Sequence, residues 1–212
     1  LTGSGLVPPH RVKLAAFICF GVAGVAGLVL ALLTAWWLVL VGAAAIAGAW
    51  FYTGGKNPYG YRGLGEVAVF VFFGLVAVLG TEFSQAGRIS WMGVVGAVAI
   101  GSISAAVNLA NNLRDIPSDT EAGKVTLAVR LGDSLTRKVW VALASMPLLG
   151  SIALAFATPL ALLGIVAAPL LFVAAQPVIR GAKGPDLIPV LGLTGRAMLM
   201  WAVVTAVVLG LN

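Results

Sequence analysis

The chain has 212 residues, of which 60% are hydrophobic and 9% charged, and its mean hydropathy is +1.06. Soluble domains are about 45–50% apolar and about 25% charged, which excludes a soluble globular domain, a disordered chain and a collagen-like fibre. The single cysteine and single histidine exclude a disulfide framework, a Cys-based zinc site and a His-cluster metal site, and a net charge of +6 in so apolar a chain points to topology-setting loop charges rather than to nucleic acid.

A helix needs about 20 apolar residues to cross a hydrocarbon core ~30 Å thick. Seven stretches supply them: residues 14–34, 36–53, 66–85, 91–113, 139–158, 160–179 and 190–211. No stretch alternates polar and apolar residues as a barrel strand does, so helices are the spanning structure that remains. The expected fold class is therefore all-α, a polytopic membrane bundle of seven spans forming one domain over residues 1–212. The sequence does not open with a charged segment followed by a cleavable apolar stretch, so no signal peptide is expected.

Taken in chain order, the first span carries Gly21, Gly24 and Gly27 among alanines, small residues that let helices approach closely in lipid. Cys19 reads as a packing residue. Almost nothing separates this span from the next, so the two form a tight hairpin, with Trp36 and Trp37 at the interface. The loop after the second span holds Lys56, Arg62, Tyr52, Tyr59, Tyr61 and glycines at 54, 55, 60, 63 and 65. Its cations suit phosphate oxygens, its tyrosines an aromatic acceptor, and its glycines a close backbone approach. Gly63, Gly65 and Ala68 formally match a dinucleotide fingerprint, but no strand precedes them and a membrane span comes next. The third span ends near Glu82 and the turn that carries Arg88.

The fourth span and the loop behind it are the richest in chemistry. Ser104, Asn108, Asn111 and Asp115 recur at four, three and four residues, one face of a helix. Pro117 disfavours helical geometry at Ile116, so the helix ends or kinks there, with Asp119 one turn beyond Asp115. Two carboxylates with amide oxygens beside them suit a hard divalent cation such as Mg²⁺, which takes oxygen ligands and bridges carboxylates to substrate phosphates. Lys124, with Arg114 or Arg130, could clamp a diphosphate. Residues 126–131 and then Gly132 read as a short interfacial helix with a glycine C-cap, and Asp133 or Ser134 as the N-cap of the next span. Pro159 leaves almost no turn between the fifth and sixth spans. Arg196 lies inside the last one, where it could snorkel or face a cavity.

Alternate connections divide the charge sharply. Residues 1–13, 54–65, 114–138 and 180–189 carry Arg11, Lys13, Lys56, Arg62, Arg114, Lys124, Arg130, Arg137, Lys138, Arg180 and Lys183, whereas the other set carries Arg88. The first set is expected to face the cytoplasm.

The segment from Asn111 through Asn112, Leu113, Arg114, Asp115, Ile116, Pro117, Ser118, Asp119, Thr120, Glu121, Ala122, Gly123 and Lys124 to Gly132 resembles the second aspartate-rich motif of UbiA-type intramembrane prenyltransferases. Lys56, Asn57, Pro58, Tyr59, Gly60, Tyr61, Arg62, Gly63, Leu64, Gly65 and Glu66 resemble a K-P-Y-G-Y-x-G-x-G-E segment of the branch that prenylates 1,4-dihydroxy-2-naphthoate, with Asn57 where Ser or Lys is usual. The segment 1–7 resembles the stretch just C-terminal to the family's first aspartate-rich motif. The family fold has nine transmembrane helices, so the resemblance places this chain as the C-terminal three quarters, with the first motif expected before Leu1.

The resemblance implies Mg²⁺-dependent transfer of a polyprenyl chain from polyprenyl diphosphate to the naphthoate, with loss of diphosphate and CO₂. It implies that Asn111, Asp115 and Asp119 hold Mg²⁺ and diphosphate. Lys124, Lys56 and Arg62 would contact the diphosphate, with Arg130 and Tyr52 as weaker candidates, and Tyr59 and Tyr61 would line the acceptor site. It also implies a multi-pass protein of the bacterial cell membrane whose partner is the lipid bilayer. A UbiA-type enzyme with another aromatic acceptor is the nearest alternative. A transporter would place its polar groups near mid-membrane, and here they gather at one face.

Overall fold

The structure is a computed structural model that describes residues 5–211. Residues 1–4 of the segment expected next to a first aspartate-rich motif lie outside the described residues, as does Asn212. Helices account for the described secondary structure. Beside a one-turn 3-10 helix at Tyr59–Arg62, they are α1 (Pro9–Leu33), α2 (Leu38–Thr53), α3 (Gly65–Ala86), α4 (Trp91–Arg114), α5 (Ile116–Glu121), α6 (Leu127–Leu154), α7 (Pro159–Ile179) and α8 (Gly184–Gly210). Six of them, α1, α3, α4, α6, α7 and α8, are long and apolar enough to cross a membrane. The remaining predicted span, α2, is apolar throughout but has 16 residues. The protein is a multi-pass integral membrane protein.

The chain divides into two compact units, at Trp50 and Phe51. In the first, α1 and most of α2 form the predicted hairpin, turned by Leu38 N–H on the Ala35 carbonyl (3.0 Å) and Val39 N–H on the Trp36 carbonyl (3.1 Å). The Phe17 and Trp50 rings meet at 5.5 Å, and Gly24, Gly27 and Gly42 line a groove between the two helices. Most of α1 is exposed, including Cys19, so that cysteine does not serve the packing role read for it.

The second unit is organised around α4, which packs against α3, α6 and α8. Its buried positions are mostly small: Ala97, Ala99, Gly101, Ser102, Ala105, Ala106 and Ala110. Lipid tails are as apolar as leucine, so helix association here depends on close packing rather than on escape from water. The two helices meet backbone to backbone at Gly74 of α3 and Gly101 of α4, where a Cβ on Gly74 would lie 2.5 Å from Gly101 Cα. Around it, α3 is wound as a π-helix over Phe70–Leu79, an irregularity often found near functional sites. Behind α4, Trp201 is buried and donates from Nε1 to Ser151 Oγ (2.9 Å) over Gly150 and Gly164.

Gly132 (φ 72°) breaks α6 into a short helix and a long one, as the glycine signal predicts. Thr126 caps the short helix by accepting from Val129 N–H (3.4 Å). The expected cap by Asp133 or Ser134 is replaced by a different use of Asp133. Its carboxylate binds Arg137 Nε and Nη2, both at 2.7 Å, while that guanidinium also donates to the carbonyls of Val178 (2.7 Å) and Ala182 (2.8 Å). A buried guanidinium needs both its charge and its donors satisfied, and here it ties the end of α7 to α6. Arg196 is exposed on α8.

Gly74→Val is expected to lower stability by about 1–3 kcal/mol through overpacking against α4. Gly192→Ala, where the added methyl meets nothing within 4 Å, should leave stability unchanged. Unfolding midpoints in detergent would check both.

Candidate active site

The polar end of α4 and the two loops beside it come together at one end of the second unit. Helix α4 stops at Arg114, and the backbone turns at Asp115 (φ −96°, ψ 6°) into α5, with Pro117 in its first turn. Asp119 N–H donates to the Asp115 carbonyl (2.8 Å), and Lys124 N–H to the Asp119 carbonyl (2.8 Å). Gly123 (φ 69°) makes the second of these turns possible.

Both aspartates carry a cation. Arg114 forks onto Asp115, with Nε to Oδ1 at 2.7 Å and Nη2 to Oδ2 at 2.8 Å. Lys124 Nζ lies 3.4 Å from Asp119 Oδ1, and the Asp119 residue is buried. The same ammonium sits 4.9 Å from the centre of the Tyr61 ring. Val125 N–H donates to the Tyr61 carbonyl (3.0 Å), which joins the two loops backbone to backbone.

The loop from α2 to α3 closes on itself through its glycines. Gly60 lies on Tyr52, where a Cβ would be 2.6 Å from the Tyr52 carbonyl oxygen. Gly63 (φ 75°) lies on Arg130, where a Cβ would be 2.8 Å from Nε. Gly65 lies between the Tyr52 hydroxyl and the Asn108 amide, 3.1 and 3.2 Å from a Cβ placed there. The glycines expected to make room for a ligand thus make room for the protein's own side chains. Lys56, Asn57, Tyr61, Arg62, Val125 and Arg130 line a cleft of about 310 Å³, which unites cations from both motifs. Tyr52 and Tyr59 instead stack edge to face at 5.5 Å. Burial pushes the Tyr59 phenol above its ordinary value of 10.0, so it stays a neutral hydroxyl.

Below the loops, Ser104, Asn108 and Asn111 line a second, mostly apolar groove of about 400 Å³ with Val69, Phe73, Leu191, Gly195 and Met198. Asp115 continues the sequence stripe but turns to Arg114. Of the two arginines that could clamp a phosphate, Arg130 lines the cleft, while Arg114 holds a carboxylate.

Sequence reasoning missed Glu66. It is 4% exposed at the start of α3, and its Oε1 accepts from Asn112 Nδ2 (2.6 Å) and Asn108 Nδ2 (3.3 Å). Its Oε2 is buried without a partner. The signal available in sequence was a carboxylate at a span's edge facing, in another span, more amides than one helix face can satisfy. Its partners lie 42 and 46 residues away, which no local pattern reveals.

The sequence profile of the UbiA prenyltransferase family matches residues 3–203. A 1,4-dihydroxy-2-naphthoate octaprenyltransferase of Mycobacterium tuberculosis is 55% identical over 206 residues, which are 97% of this chain and 70% of that protein. The enzyme of the same name from Mycobacterium leprae matches with the same identity and the same coverage. The Escherichia coli enzyme of that name is 45% identical over 100 residues, 47% of this chain and 32% of its own.

Glu66→Leu leaves two buried amides without their acceptor and is expected to cost about 2–3 kcal/mol. Glu66→Gln keeps an acceptor oxygen and should stay within about 1 kcal/mol of the parent. Unfolding midpoints in detergent would distinguish the two.

Proposed function

Because the chain belongs to the UbiA prenyltransferase family, we propose that it transfers a polyprenyl chain from polyprenyl diphosphate to 1,4-dihydroxy-2-naphthoate, releasing diphosphate and CO₂ and giving demethylmenaquinone. The observation that carries this reading is the cleft in which Lys56 and Arg62 of one motif meet Arg130 of the other, beside the paired Asp119 and Lys124. Three cations with no carboxylate among the lining residues form a receptor for a polyanion. The family match spans both compact units, which supports reading residues 1–212 as one prenyltransferase domain.

Prenyltransferases of this family generally use a divalent metal, and the residues present fit one. Asp115, Asp119 and Asn111 offer the carboxylate and amide oxygens that Mg²⁺ prefers. Among the described residues no three His, Cys, Asp or Glu side chains cluster, so the set relies on the amide and on substrate phosphate oxygens, as Mg²⁺ sites commonly do. When bound, the ion would neutralise charge that gathers on the diphosphate as the allylic C–O bond breaks.

The remaining work falls to the chain. Arg114 and Lys124 hold the two carboxylates in place. Lys56, Arg62 and Arg130 bind the diphosphate and stabilise it as it leaves. The groove below Asn111 receives the first isoprene units and keeps water from the allylic cation. The ring carbon attacks that cation from the side walled by Tyr61, and the stacked Tyr59 and Tyr52 support the loop that carries it. By the bias of Lys and Arg, this end faces the cytoplasm of a bacterial cell, and the isoprenoid tail extends into the plasma membrane.

The test is prenyl transfer in membranes with 1,4-dihydroxy-2-naphthoate, a long polyprenyl diphosphate and Mg²⁺, with 4-hydroxybenzoate as control acceptor. Asp115→Ala and Asp119→Ala are each expected to lower kcat/KM at least about 100-fold, roughly 2.7 kcal/mol, without unfolding the protein. Near-normal turnover in the double variant would remove the metal assignment. Arg130→Met is expected to raise KM for the diphosphate substrate about 10-fold. Preference for 4-hydroxybenzoate would overturn the choice of acceptor. Magnesium removal by chelation should abolish turnover, and full activity in its absence would refute the cofactor.

A further inference from the structure

Glu66 has no part in the chemistry described so far, yet it is 4% exposed at the start of α3 and faces two side chains of α4. Its Oε1 accepts from Asn112 Nδ2 (2.6 Å) and from Asn108 Nδ2 (3.3 Å). That oxygen offers no hydrogen, so each amide must turn its NH₂ end toward it. The carboxylate thereby fixes which way both amides point. Gly65 keeps the space open: a Cβ there would lie 3.2 Å from Asn108 Nδ2 and 3.1 Å from the Tyr52 hydroxyl.

The two asparagines differ in what lies on their other side. Asn108 also lines the apolar groove of about 400 Å³ that Asn111, Val69, Phe73 and Met198 share, whereas Glu66, Tyr52 and Asn112 are not among its lining residues. With its nitrogen held at Glu66, the end of the Asn108 amide left for the groove is the carbonyl oxygen, Oδ1. The hydroxyl one turn deeper is already used, since Ser104 Oγ donates to Met198 Sδ (3.3 Å). In walls this apolar, an oriented carbonyl dipole acts at low dielectric and is worth more than in water. Its negative end suits a cation. Asn108 stands about 4.5 Å below Asn111 along the helix axis, which is the depth of the first isoprene unit when the diphosphate is held at Asn111, Asp115 and Asp119.

We propose that Glu66 is a positioning residue for prenyl transfer: it holds the Asn108 amide so that Oδ1 faces the groove and stabilises the allylic cation. When the allylic C–O bond breaks, the electron pair leaves with the diphosphate, and positive charge is shared between C1 and C3 of the first isoprene unit. A carbonyl oxygen fixed in advance beside that charge lowers the barrier without reorganising during the reaction. An amide free to turn would present its NH₂ end part of the time and lose that advantage. The inference rests on the proposed prenyl transfer, though not on the choice of acceptor.

The experiment compares the parent in membranes with Glu66→Leu, Glu66→Gln, Asn108→Ala and the double variant of Glu66→Leu with Asn108→Ala, below every unfolding midpoint. One readout is prenyl transfer to 1,4-dihydroxy-2-naphthoate and to 4-hydroxybenzoate. The other needs no turnover: with pyrophosphate and Mg²⁺ present, it is the binding of a geranyl-length trialkylammonium, whose nitrogen replaces C3 of the first isoprene unit, relative to the uncharged hydrocarbon of the same shape. Glu66→Leu and Asn108→Ala are each expected to lower kcat at least about 10-fold, with KM for the diphosphate substrate within about 2-fold, and to lose the ammonium preference by a similar factor. Glu66→Gln keeps an acceptor oxygen for both amides and should hold kcat within about 3-fold of the parent. In the double variant Glu66→Leu should add less than about 2-fold to Asn108→Ala, because the oxygen it positions is gone. Additive losses in the double variant, a loss in Glu66→Gln as deep as in Glu66→Leu, or an unchanged ammonium preference in Asn108→Ala would each overturn the proposal. Should Glu66→Leu fail to fold, Asn108→Ala and Glu66→Gln still decide it. The same pattern with 4-hydroxybenzoate alone would support the proposal and overturn only the choice of acceptor. An ammonium preference that Asn108→Ala abolishes, in a chain that transfers no prenyl group, would support the oriented carbonyl and overturn the reading of the reaction; a parent with neither would overturn both.

Discussion

The contact between Gly74 and Gly101 sets how closely α3 and α4 can lie, and most of the second unit depends on it. A helix pair without side chains at its crossing point brings backbones together and gains dispersion contacts along its length. Because α4 is lined with alanine and glycine, α6 and α8 also approach it closely. Close approach has a second consequence. It places Glu66, at the start of α3, within hydrogen-bonding distance of Asn108 and Asn112 on α4. A buried carboxylate facing two amides at that depth would be costly if the helices stood further apart, because lipid offers no donors.

The polar end of the bundle repeats one principle several times. Several charged groups near the membrane boundary are met by a neighbouring residue, by another segment or by the next turn. Arg137 meets Asp133 and two carbonyls from the end of α7. Arg114 meets Asp115, and Lys124 meets Asp119 and the Tyr61 ring. The cations that line the cleft are Lys56, Arg62 and Arg130, left facing a space rather than a carboxylate. That division between structural and available cations turns a topogenic cluster of positive charge into a receptor for an anion.

The backbone bond from Val125 to Tyr61 matters for the same reason. Two loops rich in glycine would otherwise be free to separate, and the cations they carry would repel one another. Gly63 seats the Arg130 side chain against the first loop, so the second motif's cation is delivered to the first motif's cleft. The bundle therefore has two different ends. One gathers charge in pairs around a basic cleft, and the other carries Glu82 and Arg88 at the turn between α3 and α4.

By itself the sequence determined what depends on neighbours in the chain. Hydropathy over about 20 residues located the helices, Pro117 and Gly132 marked breaks that the structure has, and the tally of Lys and Arg separated the two loop sets. The residues of α2 were legible as an apolar helix, but not as one of 16 residues, since the hydropathy of its flanks runs on past the turn at Trp36 and Trp37. The motif residues were legible as types. Only the tertiary structure decided which cation holds a carboxylate and which lines the cleft, that the loop glycines accommodate Tyr52, Asn108 and Arg130, and that Glu66 is the partner of two asparagines. It also decided that Asp133 serves Arg137 rather than capping its helix. The reason is physical: helix formation in lipid is settled by backbone hydrogen bonds within a few residues. The pairing of buried polar groups is settled by which helices can approach, and that depends on small residues far apart in the chain.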